Sequence, residues 1–187
     1  MQARWGRFAL GIALASVATY LWGFLFWGAT SLPYGVWEQS PDDATTQAAL
    51  LEHFPENGTY FVPGFGHEAG ELAELYESGP VAMVHVSARE GRPQLDPGIM
   101  ARGFGVIVGS ALLLGLLLRW TALPDYGRRV RLACLVGLLA AWTVDLGDTA
   151  WWGTPLDWKL VQALYTATSL ALMGAVLARF TPVAEVS

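Results

Sequence analysis

The sequence predicts a membrane all-α fold: a four-transmembrane-helix bundle with a small α+β (α-β-α-β) extracytoplasmic cap between helices 1 and 2. Three observations lead there. Four stretches are long and apolar enough to cross a bilayer. Of the 187 residues, 53% are hydrophobic and only 14% charged, against about 25% charge in average soluble domains. The stretch 31–98 is acidic, patterned, and too long for a structureless connection in a compact protein. The expected division is 1–30 for a cytoplasmic N-terminus and helix 1, and 31–98 for the cap. Residues 99–187 then hold helices 2 to 4 (99–118, 132–152 and 158–180) and a short cytoplasmic C-terminus.

Helix 1 is the cleanest span. Phe8 to Thr30 runs 23 residues without a charge, and about 20 suffice for the hydrocarbon core. Arg4 and Arg7 precede it, and Ser16-Val17-Ala18 offers a small-residue cleavage site. The apolar run nevertheless continues through Leu21 to Trp27, far past a signal-peptide core, so the segment is read as an uncleaved anchor. Helix 2, Ile99 to Leu118, has Arg102 near one end and Arg119 just past the other. Helix 3, Leu132 to Trp152, is interrupted by Asp145 and Asp148. Helix 4, Trp158 to Phe180, opens with Lys159 and closes with Arg179.

Charge placement orients the bundle. Arg119, Arg128, Arg129 and Arg131 crowd the second connection, and Arg4, Arg7 and Arg179 lie near the two ends. Between Ser31 and Ala101 there are eleven acids against Arg89 and Arg92. The positive-inside rule places both termini and the 119–131 loop in the cytoplasm, and 31–98 and the 149–157 turn outside. Trp22, Trp27 and Trp37, with Trp151, Trp152 and Trp158, would mark the outer interface as aromatic anchors; Trp5 and Trp120 would mark the inner one.

Within 31–98 the elements follow one another. Ser40-Pro41-Asp42-Asp43 starts a helix, with Leu50, Leu51 and Phe54 on its apolar edge, and Pro55 stops it. Glu56-Asn57-Gly58 turns the chain, and Thr59 to Val62 reads as a strand ended by Pro63-Gly64. Glu68 to Glu77 is a second helix, with Ala69, Leu72, Ala73 and Tyr76 on one face. Gly79-Pro80 breaks it before a second strand, Val81 to Val86, and Arg89 to Pro93 turns back towards the membrane. Two short strands are unstable alone, so they are expected to pair and to rest on the two helices or on the membrane domain.

The residue that asks most of the fold is Asp145, about 4–5 Å from the midpoint of 132–152 at 1.5 Å per residue. A carboxylate there costs roughly 2.5–3.5 kcal/mol on the lenient insertion scale, so it must face the bundle, find a partner or carry a proton. Asp148 lies one turn outward on the same face. Lys159, the chain's sole lysine, heads a polar stripe of Gln162, Thr166 and Ser169 at helical spacing. An antiparallel hairpin of helices 3 and 4 brings Asp148 level with Lys159, and Asp145 level with Gln162 or Thr166. Asp145, Asp148, Lys159, Gln162 and Thr166 are thus the candidate binding site, read either as interhelical glue or as an outward-opening proton or ligand site. Asp157 offers Lys159 a second partner.

Other chemistry is thinly represented. Neither a nucleophile motif nor a phosphate loop occurs, and no catalytic residue is assigned. The three histidines, His53, His67 and His85, all fall in 31–98, which excludes a transmembrane haem with two histidine ligands. Their spacings match no metal motif; His67 with Glu68, Glu71 and Asp96 reads as a solvated surface, so no metal and no cofactor are expected. His85 shares strand parity with Val81 and Met83 and is expected to be half-buried. Cys134 reads as a small buried hydrophobe. The net charge of −5 argues against nucleic acid, and the low charge with 12% aromatics against disorder. Gly11, Ala15, Thr19 and Gly23 in helix 1, and Ala101, Gly105 and Gly109 beside Ala111 and Gly115 in helix 2, form small-residue seams. Such seams let helices approach closely, within this chain, in self-association or against another membrane protein.

Trp22-Gly23 with Trp27, Leu32-Pro33-Tyr34, Tyr60 to Gly64, and Trp151-Trp152-Gly153-Thr154-Pro155 resemble a type of uncharacterised small bacterial four-span inner-membrane protein. The resemblance implies an inner-membrane location and brings no activity. Three functions follow as expectations. The first is a non-enzymatic accessory or scaffold subunit that binds a partner membrane protein. The second is a small transporter or ligand-binding membrane protein using the Asp/Lys site, and the third a membrane enzyme using the cap histidines.

Overall fold

The computed structural model describes residues 2–88 and 91–181, with side chains from Trp5 onward. The Arg4 side chain, the 89–90 part of the expected Arg89–Pro93 turn and the tail beyond Thr181 lie outside the described residues. In chain order the elements are α1 (Gln2–Phe24), continued by a π-helical turn (Leu25–Ala29); a 3₁₀ turn (Tyr34–Val36); α2 (Asp43–His53); β1 (Gly58–Val62); α3 (Ala69–Ser78); β2 (Ala82–Val86); α4 (Pro97–Trp120); α5 (Tyr126–Ala140), continued by a π-helical turn (Ala141–Leu146) into α6 (Gly147–Trp151); and α7 (Leu156–Phe180). The chain is mostly helical and divides into two compact units, one of residues up to Trp37 with those from Leu95 on, the other Glu38–Gln94.

Four helical stretches in the first unit are long and apolar enough to cross a membrane: Trp5–Ala29, Pro97–Trp120, Tyr126–Trp151 and Leu156–Phe180. At 1.5 Å per residue, the 24 residues of α4 extend about 36 Å, enough for a hydrocarbon core of about 30 Å. These lengths suit a multi-pass membrane protein. The helix starts are set locally. The Asp96 carboxylate accepts from the Gly98 N–H at 2.7 Å, and Pro97 takes the first helical position, where a missing N–H costs nothing.

The third stretch starts six residues before the expected Leu132. Asp125 accepts from the Arg128 N–H at 2.8 Å and opens α5 at Tyr126. Arginine is a good helix former, so Arg128, Arg129 and Arg131 lie on the helix and the connection shrinks to 121–125. Arg129 is 8% exposed. Its guanidinium donates to the carbonyls of Leu123 (2.8 Å), Ala178 (3.2 Å) and Thr181 (2.8 Å), closing the C-terminal end of α7. What reads in sequence as loop charge is a buried clamp on a helix terminus, where a cation also suits the helix dipole.

The other three long helices pack around α7, which lies closely against α1, α4 and α5. Its tightest seam is one the sequence does not single out: on the third stretch Ala133 faces Gly174 of α7 and Gly137 faces Ala167 and Leu170. A methyl group on Gly174 would stand 2.0 Å from Ala133 Cβ, and one on Gly137 3.1 Å from the Ala167 carbonyl oxygen. The helix 1 seam also packs internally, with Gly11 against Phe180 and Gly23 against Tyr165. On α4 the seams diverge. Ala111 and Gly115 are buried, Gly115 under the Phe8 ring, whereas Ala101 and Gly105 are exposed and nothing approaches Gly105 or Gly109 within 4 Å. The core, with Ala15, Ala111, Leu114, Leu118, Met173 and Leu177, gathers in the half of the bundle holding the Phe180 end, here the lower half. Cys134 is half-buried.

In the second unit, β1 and β2 pair antiparallel from Gly58↔Val86 to Val62↔Ala82. Tyr60, Val84 and Val86 are half-buried, while Thr59, Met83 and His85 are exposed. The expected parity of His85 is therefore reversed: residues 84 and 86 turn inward, because Tyr60 opposite Val84 offers the ring that covers them. His85 Nδ1 instead meets Thr59 Oγ1 at 2.8 Å across the ladder. The Asp42 carboxylate caps α2 through the N–H groups of Ala44 and Thr45, as Ser40-Pro41-Asp42-Asp43 suggested. Phe54 at the end of α2 packs on Tyr60, ring centres 4.7 Å apart. The unit is thinly packed; Pro63 is its sole buried member among the described residues.

Candidate functional site

The sequence-expected pair forms. After the π-helical turn, α6 presents Asp148, and the chain reverses through Trp152–Pro155 with Gly153 at φ +63°, a left-handed conformation that costs glycine little. The Trp152 and Thr154 N–H groups both donate to the Asp148 carbonyl. In the first turn of α7, Lys159 Nζ meets Asp148 Oδ2 at 2.7 Å. Lys159 is 8% exposed and Asp148 is half-buried, so the carboxylate answers the buried ammonium from the solvent side.

The deeper members of the set separate. With Asp148 opposite Lys159, three residues further along each helix puts Asp145 level with Gln162. Asp145 is 8% exposed, held towards α7 by the π-helical turn, a feature that often accompanies functional residues. Asp145 Oδ2 and Gln162 Oε1, both acceptors, are buried without a hydrogen-bond partner. Thr166 and Ser169 turn instead to another space.

That space is an open cleft of about 820 Å³ in the upper half of the first unit. Its walls are α1 with its π-helical turn from Thr19 to Gly28 and α4 from Ile99 to Ser110, with α7 from Tyr165 to Met173 behind, and Tyr34 and Leu95 near the top. The cleft follows from the side chains. Below it, the Phe8 ring fills the gap at Gly115 and α1 and α4 close together. Beside it, Gly103 on α4 projects nothing and has nothing within 4 Å. The rings of Tyr20 and Phe104 span the two helices edge to face at 5.3 Å, and the Tyr34 hydroxyl donates to the Trp27 carbonyl. Among the described residues the lining holds no charged side chain. Its polar members include Thr19, Ser110, Thr166 and Ser169, of which Thr19 Oγ1 and Ser169 Oγ are buried with no partner.

The tryptophans divide by role. Trp27, Trp37 and Trp158 form one aromatic group, with ring centres 5.9 Å apart for Trp27–Trp158 and 5.4 Å for Trp37–Trp158. Trp151 and Trp152 are exposed. Trp22 has an internal role, its indole N–H donating to Thr168 Oγ1 at 3.2 Å and tying α1 to α7. The histidines do not assemble: His53 ends α2, His85 pairs with Thr59, and His67 meets Glu71 at 3.2 Å. No group of three or more His, Cys, Asp or Glu placed to hold a metal occurs among the described residues. Sequence reasoning placed Thr19 in a packing seam and Ser169 in a polar stripe; the open space between them carries no sequence signal, because it depends on which helices diverge. Comparison of the chain with protein-family models, with curated proteins and with solved structures finds no match.

Proposed function

We propose that this chain is a membrane-embedded binding protein that holds a neutral, amphipathic, lipid-like molecule in the cleft between α1, α4 and α7. The observation that carries this reading is the cleft itself: about 820 Å³, within the roughly 300–1,000 Å³ of small-molecule sites, with an apolar wall rich in aromatic rings. The paired Asp148 and Lys159 then serve as the register lock of the α5–α7 hairpin, outside the cleft wall, rather than as an outward transport site. In this reading the chain lies in an inner membrane with 31–98 outside, as its arginine placement suggests.

The full chain in phosphatidylcholine nanodiscs tests this with pyrenedecanol, a neutral amphiphile detected by energy transfer from tryptophan. Saturable binding near one probe per chain is expected. Gly103→Phe, whose new side chain starts in open space, is expected to weaken binding at least tenfold without lowering the unfolding temperature. Unsaturable partitioning, equal in both proteins, would exclude the cleft as a site. A second reading, an accessory subunit docking a partner membrane protein, draws on the exposed Ala101–Gly105 seam of α4. Native mass measurement after gentle extraction separates the two, since a bare monomer counts against docking.

A further inference from the structure

The described arginine side chains of the first unit find partners, with one exception. Arg7 and Arg131 donate to carbonyls at 3.5 and 3.4 Å, Arg128 meets Asp125 at 3.1 Å, and Arg129 holds its three carbonyls. Arg119 and Arg179 lie over the rings of Trp5 and Tyr126. Arg102 is exposed and has neither an ion pair nor a hydrogen bond among the described residues. Its place is unusual too. It lies five residues into α4, about 7.5 Å below the helix start at 1.5 Å per residue. A guanidinium at that depth of a span is costly unless an anion meets it.

Arg102 belongs to the rim of the cleft. Ile99, three residues earlier, and Val106, four later, both line it, and residues at those spacings share a helix face. A helical side chain leans towards its own N-terminus, so Arg102 rises along the upper edge of the opening. There it reaches a carboxylate without pairing to it. A methyl group on Gly98 would stand 3.9 Å from Arg102 Nη1 and 3.1 Å from Asp96 Oδ1. Both charges therefore border the space that Gly98 leaves empty. Asp96 spends Oδ1 on the Gly98 N–H at 2.7 Å, and its neighbour Leu95 is again a cleft residue. An acid and a base that stand together unneutralised, above an uncharged apolar wall, complement a molecule carrying both charges beside a hydrocarbon tail.

We propose that the cleft holds an acyl chain of a phospholipid with a zwitterionic, primary-amine headgroup, its phosphate against Arg102 and its ammonium against Asp96. Such a lipid is neutral overall, so the proposal rests on the binding function above and names the ligand class of the same site. The planar guanidinium fork matches phosphate oxygens. The Asp96 carboxylate can only accept, so it is answered by an ammonium that carries N–H groups, which a quaternary ammonium lacks. An anionic headgroup would satisfy Arg102 and leave Asp96 facing a like charge.

The test loads the full chain with pyrenedecanol in phosphatidylcholine nanodiscs and mixes in dioleoyl phosphatidylethanolamine, dioleoyl phosphatidylglycerol or dioleoylglycerol at equal mole fraction. The ethanolamine lipid is expected to displace the probe about tenfold better than either of the others, roughly what one charge-assisted hydrogen bond supplies. Arg102→Gln and Asp96→Asn, whose asparagine still caps α4, should each erase most of that advantage and leave saturable pyrenedecanol binding unchanged. Asp96→Asn should also strengthen displacement by the phosphatidylglycerol, a gain that mere loss of structure does not produce. Equal displacement by all three lipids, the result if Arg102 reaches only the phosphates of the surrounding bilayer, overturns this inference and leaves the binding function standing. So does phosphatidylglycerol that matches the ethanolamine lipid, or an ethanolamine advantage that survives both substitutions. Failure of pyrenedecanol to saturate removes both.

Discussion

Replacing Gly174 by alanine should break the bundle at its closest approach. The new methyl carbon would stand 2.0 Å from Ala133 Cβ, whereas carbon atoms rest about 3.5–4.0 Å apart. Relief requires α5 and α7 to part by about 1.5 Å, and neither has a soft side chain there to yield. Nearby, Gly137 already lies against the Ala167 backbone, so tilting transfers strain rather than removing it. Overpacking of this kind costs about 1–3 kcal/mol, occasionally more, and alanine returns only about 1 kcal/mol in helix propensity. With the clash at the upper end of that range, a net loss of about 2 kcal/mol is expected, read from reversible unfolding in mild detergent. Ala133→Gly supplies the decisive control. It removes the opposing methyl and leaves Ala133 Cα 3.5 Å away, an ordinary contact. In the double variant the two propensity changes cancel, so stability should return to within about 1 kcal/mol of wild type. If Gly174→Ala is tolerated, or if Ala133→Gly fails to rescue it, α5 and α7 do not meet as described.

Two further substitutions examine opposite units of the chain. Arg129→Met leaves the carbonyls of Leu123, Ala178 and Thr181 without their donor; about 3 kcal/mol of stability should be lost, and Arg129→Lys should recover only part, since an ammonium lacks the planar fork. A change below about 0.5 kcal/mol for Arg129→Met in detergent unfolding would show that the clamp is idle. In the second unit, the Thr45 hydroxyl, the Thr45 N–H and the Ala44 N–H hold the Asp42 carboxyl below its ordinary value. A depressed carboxyl stabilises the cap fully above its unfolded value of about 3.9 and loses that contribution as pH falls through the lower folded value. Protection of the Ala44 and Thr45 amides, taken relative to their intrinsic exchange rates, should therefore fall below about pH 4. Asp42→Asn should abolish that acid dependence; an unchanged profile in the variant assigns it to another group.

Much of the local structure is legible in the residues. Asp42 announces the start of α2, Gly58–Val62 and Ala82–Val86 alternate with helices α2 and α3 in the anticipated order, and counting depth along two helices pairs Asp148 with Lys159. Smaller signals misled. The half-buried ladder is too short and thinly covered for parity to reveal its inner face, so parity with Val81 and Met83 puts His85 on the wrong side. Arg128, Arg129 and Arg131 read as loop because hydropathy registers their charge, while the Asp125 cap that makes them helical is a single-residue feature.

Sequence by itself determined where this chain can cross a bilayer and where its turns fall, because uninterrupted apolar length and capping residues are properties of neighbours along the backbone. Only the tertiary structure decided that α7 stands at the centre, that Gly174 meets Ala133, and that α1 and α4 part above Phe8 to leave a cleft. The reason is that lipid and protein interior are equally apolar. Val106 and Leu113 are exposed on α4 while Leu114 and Leu118 are buried, and nothing in their chemistry distinguishes the two faces. Which face is covered depends on the fit of small residues between helices distant in sequence. The same fit leaves residues as far apart in sequence as Thr19 and Ile99 lining one shared space.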